Sequence, residues 1–316
     1  MSSGVGVPVF TARDVEAAVP PEVAVEAVRD AFVAHFRGEW TMPPKVYVTN
    51  YPAGDFRAMP ALGGGYALLK WITSFPGNPA RGLPTVTGMV LVSDASNGQL
   101  RAVLDAASVT ARRTGAAAVL AAEVLGRPDA SSASVVGVGV NGRAAARTFL
   151  ARGRAVSLWD ADPERVARVA AELGAEAAGS LEEALAADLV VTVTPGHRVL
   201  FTDGTLRPGQ HVSLMGADGP GKAEATSGEP VRAKLYCDDW EQASHGGELA
   251  HAVEAGVVGA GSVTAIGDVL AGTAEGRASA GEITLFDSTG LAIQDLAIAL
   301  AALDAVADVE LPQLEL

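Results

Sequence analysis

The segment Gly137-Val138-Gly139-Val140-Asn141-Gly142 follows a short apolar run and opens a helix-like one. Glycines at that spacing suit the phosphates of a dinucleotide. The first permits a tight turn, and the second lets the backbone approach a pyrophosphate. The third brings the helix close to its strand, and the helix N-terminus offers unpaired N–H groups. Val140 and Asn141 stand within the turn. Asp160 ends the next strand about 20 residues on, where a carboxylate accepts the ribose hydroxyls. It repels a 2′-phosphate, which favours NAD(H) over NADP(H); Asp162 could share the role, and Arg165 could meet a phosphate. Thr194-Pro195 follow the apolar run 189–193, at the edge where the nicotinamide half would pass.

A second group of residues is cationic. Lys45 stands in Pro43-Pro44-Lys45-Val46-Tyr47, Arg57 in Asp55-Phe56-Arg57, and Lys70 in the otherwise apolar run 66–72. A lysine inside such a strand is costly to bury unless something anionic or polar meets it. That partner is either a bound anion or an ordinary salt bridge. Arg112 and Arg113 begin a helix, and one of them is placed to grip a carboxylate bidentately; spacing does not rank them. Asp218 lies in the glycine-rich loop 216–222, just beyond the strand 211–215, where such folds bind ligands. It is the candidate for proton transfer, against the alternative of an Asx-turn that shapes the loop.

These residues need elements to hold them. Residues 20–38 read as a helix with Pro21 at its first turn. Runs at 45–47, 66–72 and 87–92, broken by Gly, Pro and Asn, read as a small antiparallel sheet, with Asn97-Gly98 turning the last into 100–104. An alanine-rich helix spans 108–125. From residue 130 strands and helices alternate. Asp162 caps the helix 163–173, and Ser180 with Glu183 forms a capping box. The pattern predicts an α/β chain: a doubly wound, parallel, Rossmann-like sheet domain at 126–292, and an α+β domain at 1–125 completed by the apolar helix 293–306 within the tail 293–316.

The 316 residues carry 23 basic and 37 acidic side chains, a net charge of −14. That balance disfavours nucleic acid and anionic membrane surfaces as partners. The single cysteine, Cys237, excludes an internal disulfide and fits a reducing compartment. With neither a signal-peptide pattern nor an 18-residue apolar run, a cytoplasmic enzyme is expected. Glu241, His245 and His251 complete no ligand pattern, so no metal is expected. A Gly-x-Ser-x-Gly elbow is absent, which disfavours acyl chemistry.

The chain resembles the ornithine cyclodeaminase/mu-crystallin family, and within it the archaeal-type NAD-dependent alanine dehydrogenases. The resemblance is carried by residues 43–47, Arg57-Ala58-Met59-Pro60-Ala61, Lys70-Trp71 leading to Gly77-Asn78-Pro79, and Gly82-Leu83-Pro84-Thr85-Val86. It continues through Arg113-Thr114-Gly115-Ala116-Ala117, the 216–222 loop, His245-Gly246-Gly247-Glu248 and residues 286–292. It implies a homodimer whose N-terminal domain holds the substrate and the dimer sheet. It implies that Lys45, Arg57, Lys70 and Arg113 are substrate-side cations with Arg112 beside them, and that Asp218 is the catalytic aspartate. It further implies that Thr85 and Ser288-Thr289-Gly290 meet the cofactor NAD. Relatives commonly carry alanine where Gly142 stands here.

The expected reaction is hydride transfer at the α-carbon of a small, alanine-like L-amino acid, giving an imino acid that water converts to a 2-oxo acid and ammonia. Cations pin the carboxylate, Lys70 steadies the developing oxygen, and Asp218 moves the proton of the attacking water. The alternatives are a cyclodeaminase with tightly held NAD and a ketimine or cyclic-imine reductase. Arginine at position 57 disfavours a cationic substrate side chain such as that of ornithine.

Overall fold

The structure is a computed structural model and describes residues 6–219, 221–305 and 310–315. Pro220 of the glycine-rich loop and Val306 of the expected tail helix lie outside these. The chain divides into two compact units, Met1–Arg113 with Leu291–Leu316, and Thr114–Gly290.

The first unit begins with β1 (Val7–Phe10), α1 (Ala12–Ala18) and α2 (Pro21–Phe36). Thr11 and Asp14 form a capping box on α1, and Pro21 opens α2, where its missing N–H is harmless. There follow β2 (Val46–Asn50), β3 (Gly54–Gly63), β4 (Tyr66–Ser74), β5 (Val86–Asp94) and β6 (Leu100–Asp105), then α3 (Ala106–Leu125), within which the unit boundary falls. β2 to β6 form an antiparallel meander, and β1 joins β6 in parallel. Asn97-Gly98 turns β5 into β6, with Gly98 at φ +77°.

Side chains alternate between the two faces of a strand, and β4 obeys this strictly. Leu68, Lys70 and Ile72 are buried, whereas Leu69 and Trp71 are exposed. Register carries each face across the sheet: Lys70 lies opposite Met59 and Val90, Trp71 opposite Ala58 and Met89.

The second unit alternates strands and helices: β7 (Ala133–Val136), α4 (Val140–Ala151), β8 (Ser157–Trp159), α5 (Pro163–Leu173), β9 (Glu176–Ala177), α6 (Leu181–Leu185), β10 (Leu189–Thr192) and β11 (His211–Leu214). It continues through β12 (Lys234–Cys237), α7 (Trp240–Gly246), α8 (Ala250–Glu254), β13 (Val263–Ala265), α9 (Ile266–Leu270) and β14 (Thr284–Asp287). The strands pair in parallel in the order β13-β12-β14-β11-β10-β7-β8-β9. β7, β10, β11 and β14 are buried throughout, as a sheet covered on both faces requires. Val136, Val190, Val212, Leu235 and Leu285 belong to one core cluster with Leu185 and Leu249. Asp162 caps α5 through the backbone of Arg165, and Gly174 ends it in the left-handed region. Ser180 caps α6, but the Glu183 carboxylate reaches the N–H of Gly179 rather than that of Ser180, so the box is offset by one residue.

The chain then returns to the first unit as α10 (Ala292–Ala305) and β15 (Gln313–Leu314), the latter pairing with β1. α10 is buried almost all round because it packs on α2 and on β3 and β4, which explains its narrow polar stripe. No described helix is long and apolar enough to cross a membrane.

Candidate active site

In the second unit, strand order reverses between β7 and β10, and a crevice opens at such a switch point beyond the strand ends. Gly137 sits there at φ +92°; a Cβ on it would meet the Val193 carbonyl oxygen at 2.6 Å and the Thr194 side chain at 3.3 Å. Gly142 lies against the Gly137 carbonyl, whereas a Cβ on Gly139 would meet nothing within 4 Å. Gly139 caps the N-terminus of α4 without any side-chain bond, and Val140 is exposed beside Asn141. Open space over Gly139 beside an uncapped helix end fits a pyrophosphate. Asp160 accepts a hydrogen bond from the Val138 N–H at 2.9 Å and another from that of Asp162 at 3.0 Å, and pairs with Arg165 at 3.3 Å. Its carboxylate is therefore fixed beside the turn. Asp162 is engaged as the α5 cap.

Beyond β10, the backbone and hydroxyl of Thr194 both donate to Glu224, which also accepts from Thr192 at 2.5 Å. Pro195 leads to Gly196 at φ +71°, where a Cβ would stand 2.9 Å from Lys222 and 3.3 Å from the Gly216 carbonyl. The loops after β10 and β11 thus touch. Asp218 lies in the second of them, paired with Lys222 at 2.5 Å.

Behind this edge is a group of buried acids that the sequence reading does not single out. Glu248 accepts the N–H groups of Glu224 and Ala225. Burial, and then the charge of Glu224, push its carboxyl up to about 8, and burial likewise raises Glu224. Asp238 accepts from the hydroxyls of Ser288 and Thr289 and from the N–H of Gly290 at 2.8 Å. That segment is fixed by an internal carboxylate, its hydroxyl protons directed at Asp238. Among the described residues no group of three metal-binding side chains occurs. His245 is exposed, and its ring bonds the Glu241 carbonyl.

In the first unit, Lys70 is completely buried on β4, and its ammonium donates to Asp295 of α10 at 2.8 Å. The salt bridge is therefore the partner that the sequence requires for it. Nε of Arg113 is 3.7 Å from the same carboxylate and, among the described residues, buried without a hydrogen-bond partner. Arg57 is held by Asp55 at 2.6 Å and lies over the Tyr47 ring at 5.3 Å. Burial pulls the Lys70 ammonium down to about 8 against the pull of Asp295, and the charges of Arg113 and Arg57 lower it further. Lys70 and Arg113 thus share the single carboxylate of Asp295. Arg112, beside Arg113, donates to the Glu16 carbonyl of α1 at 3.0 Å. Lys45 is half-buried just before β2, and Thr85 half-buried just before β5, its carbonyl bonded by the Phe75 N–H.

The profile of the ornithine cyclodeaminase/mu-crystallin family matches residues 8–309. An alanine dehydrogenase of Archaeoglobus fulgidus is 41% identical over 298 residues, 92% of each chain. A solved archaeal alanine dehydrogenase dimer with bound NAD superposes with a TM-score of 0.92 at 38% identity, covering 98% of this chain and 99% of that one. The Δ1-pyrroline-2-carboxylate reductase of Thermococcus litoralis, solved with NADH and L-proline, gives 0.91 at 25% identity, covering 98% and 100%. The chain belongs to the ornithine cyclodeaminase/mu-crystallin family, and its fold is that of these enzymes.

Proposed function

We propose that this family member is an NAD(H)-dependent oxidoreductase that interconverts a small, alanine-like L-amino acid with its 2-oxo acid and ammonia. The observation that carries the substrate class is the state of Arg113: a guanidinium beside the Lys70–Asp295 pair whose buried Nε has no hydrogen-bond partner among the described residues. A substrate carboxylate supplies the bidentate acceptor that guanidinium geometry suits. Arg57 and Lys45 add positive potential on the same side of the reaction.

The turn 137–142, the α4 N-terminus, Asp160, Thr194 and Pro195 would hold the dinucleotide, and the Asp160 carboxylate favours NAD over NADP. NAD supplies the hydride acceptor and donor at its nicotinamide ring. The chain's own groups do the rest. Arg113 and Lys70 orient the carboxylate and so fix the α-carbon. Lys70 steadies the oxygen that develops as water adds to the imino carbon, and an Asp218 oxygen takes that water's proton. Lys222, bonded to Asp218, fixes the position of its carboxylate.

The family relationship and the exposed outer face of β2–β5 also support a homodimer. Val46, Val48, Leu62, Trp71 and Met89 are all exposed there, a contiguous apolar face of the kind subunits cover.

The likeness to the pyrroline-carboxylate reductase favours a second reading, reduction of a cyclic imino acid. One experiment separates the two: NADH oxidation with pyruvate and other small 2-oxo acids plus ammonia, alongside cyclic imines. Turnover with pyruvate and ammonia supports the proposal; turnover with cyclic imines alone overturns it.

A further inference from the structure

We propose that Asp295 is a positioning residue of this reaction, holding Lys70 charged and aimed at the substrate oxygen. The proposal rests on the reading of Lys70 given above. It starts from a carboxylate that is poorly used as mere structure. Asp295 is completely buried in the first turn of α10. One oxygen accepts from Lys70 at 2.8 Å and faces Arg113 at 3.7 Å; the other is buried with no hydrogen-bond partner among the described residues. Buried polar atoms are as a rule bonded, and a half-satisfied ion pair is less stable than a well-packed apolar pair of the same volume. Stability therefore does not account for a charged pair here.

Control of charge does. β3 presents Arg57 to Lys70, and its neutralising Asp55 is held at that arginine; β3 and β5 also place Met59 and Val90 directly opposite. α3 presents Arg113, and the buried residues of α2 are apolar. Burial and both guanidiniums work against the ammonium, and Asp295 is the carboxylate bonded to it. Without that charge Lys70 gives up its proton at lower pH, and the developing oxygen loses its electrostatic partner. The bond also fixes the direction of a side chain with four rotatable bonds.

The test uses the full chain and the isosteric variant Asp295→Asn. The sequence has four lysines, Lys45, Lys70, Lys222 and Lys234. Their 13Cε signals are therefore assignable by single substitution, and Lys70 can be titrated directly by NMR in the native protein and the variant. The expected result is a Lys70 midpoint lower by about one pH unit or more in Asp295→Asn. The alkaline limb of kcat/KM is expected to move with it, so that the loss is about fivefold or more near pH 8 and small near pH 6. NADH affinity, read by fluorescence, should be unchanged. Asp295→Ser, which removes the charge without adding an amide donor, must show the same displacement and serves where Asp295→Asn does not fold. An unmoved Lys70 midpoint overturns the proposal, as does a moved midpoint with an unmoved kinetic limb. Native protein that turns over no member of the substrate panel instead removes the functional reading beneath it, a failure visible before any variant is made.

Discussion

Gly142 packs against the carbonyl of Gly137 with no room between them for a side chain. Gly139, two residues into the same turn, faces open space. The two glycines therefore predict opposite phenotypes. Gly142→Ala must push α4 off β7 and should cost about 1–3 kcal/mol, lowering Tm by several degrees. Gly139→Ala should leave Tm unchanged and weaken NADH binding about tenfold or more, because its methyl occupies the space a pyrophosphate needs. Thermal melts and fluorescence titration of each variant check both statements.

The adjacent arginines separate in the same way. Arg112 is tied to the backbone of α1, so Arg112→Ala should cost about 1 kcal/mol of stability with little change in KM. Arg113→Ala removes the proposed carboxylate fork and should raise KM for the amino acid by about tenfold or more. Urea unfolding and steady-state kinetics read the two effects independently. An equal rise in KM for both would return the assignment to where spacing alone leaves it.

On the outer face of the meander, Trp71 is 43% and Met89 56% exposed, and they lie directly opposite each other. Trp71→Glu and Met89→Glu each place a charge in the proposed dimer seam. Sedimentation should show a native dimer and, at micromolar concentration, substantial monomer in either variant. A native monomer would refute the seam outright.

Glu248 predicts how stability follows pH. Its folded-state value of about 8 lies above the ordinary 4.5, so it takes up a proton on folding between those limits. Its contribution to stability is therefore intact below about 4.5 and lost progressively as pH rises to about 8. Lys70 has the opposite sign in a higher window: lowered from 10.5 to about 8, it makes stability recover as pH rises between those values. Urea midpoints taken across pH 5 to 8 should fall in the native chain and flatten in Glu248→Gln.

Much of this is legible in the sequence, for local reasons. The period of two in β4 makes a lysine among apolar residues conspicuous, and Asp162-Pro163 announces α5 by capping chemistry alone. Lys70's partner was not readable. Asp295 is 225 residues away, on a helix whose sparse polar residues carry no signal of what they meet. Glu224, Glu248, Asp238 and Asp287 are hidden differently: the first two sit in or beside glycine-rich loops and the last two at the ends of β12 and β14, where no local pattern marks a buried acid. They are buried because backbone N–H groups near the strand ends need acceptors. One clue was present. A Cβ on Gly216 or on Gly247 would collide with the carboxylate of Glu224 or Asp287 respectively, so each glycine marks where an acid side chain passes the backbone.

The strict alternation of β4 sets Lys70 and Trp71, neighbours in the chain, on opposite sides of one thin layer. Inserting or deleting a single residue between Tyr66 and Lys70 would send the indole inward against Asp295 and turn the ammonium out to water. Point changes along this strand are graded, but a frame slip exchanges both surfaces in one event. Length variation among natural homologues should therefore collect in the turns that flank β4 and stay out of the strand itself.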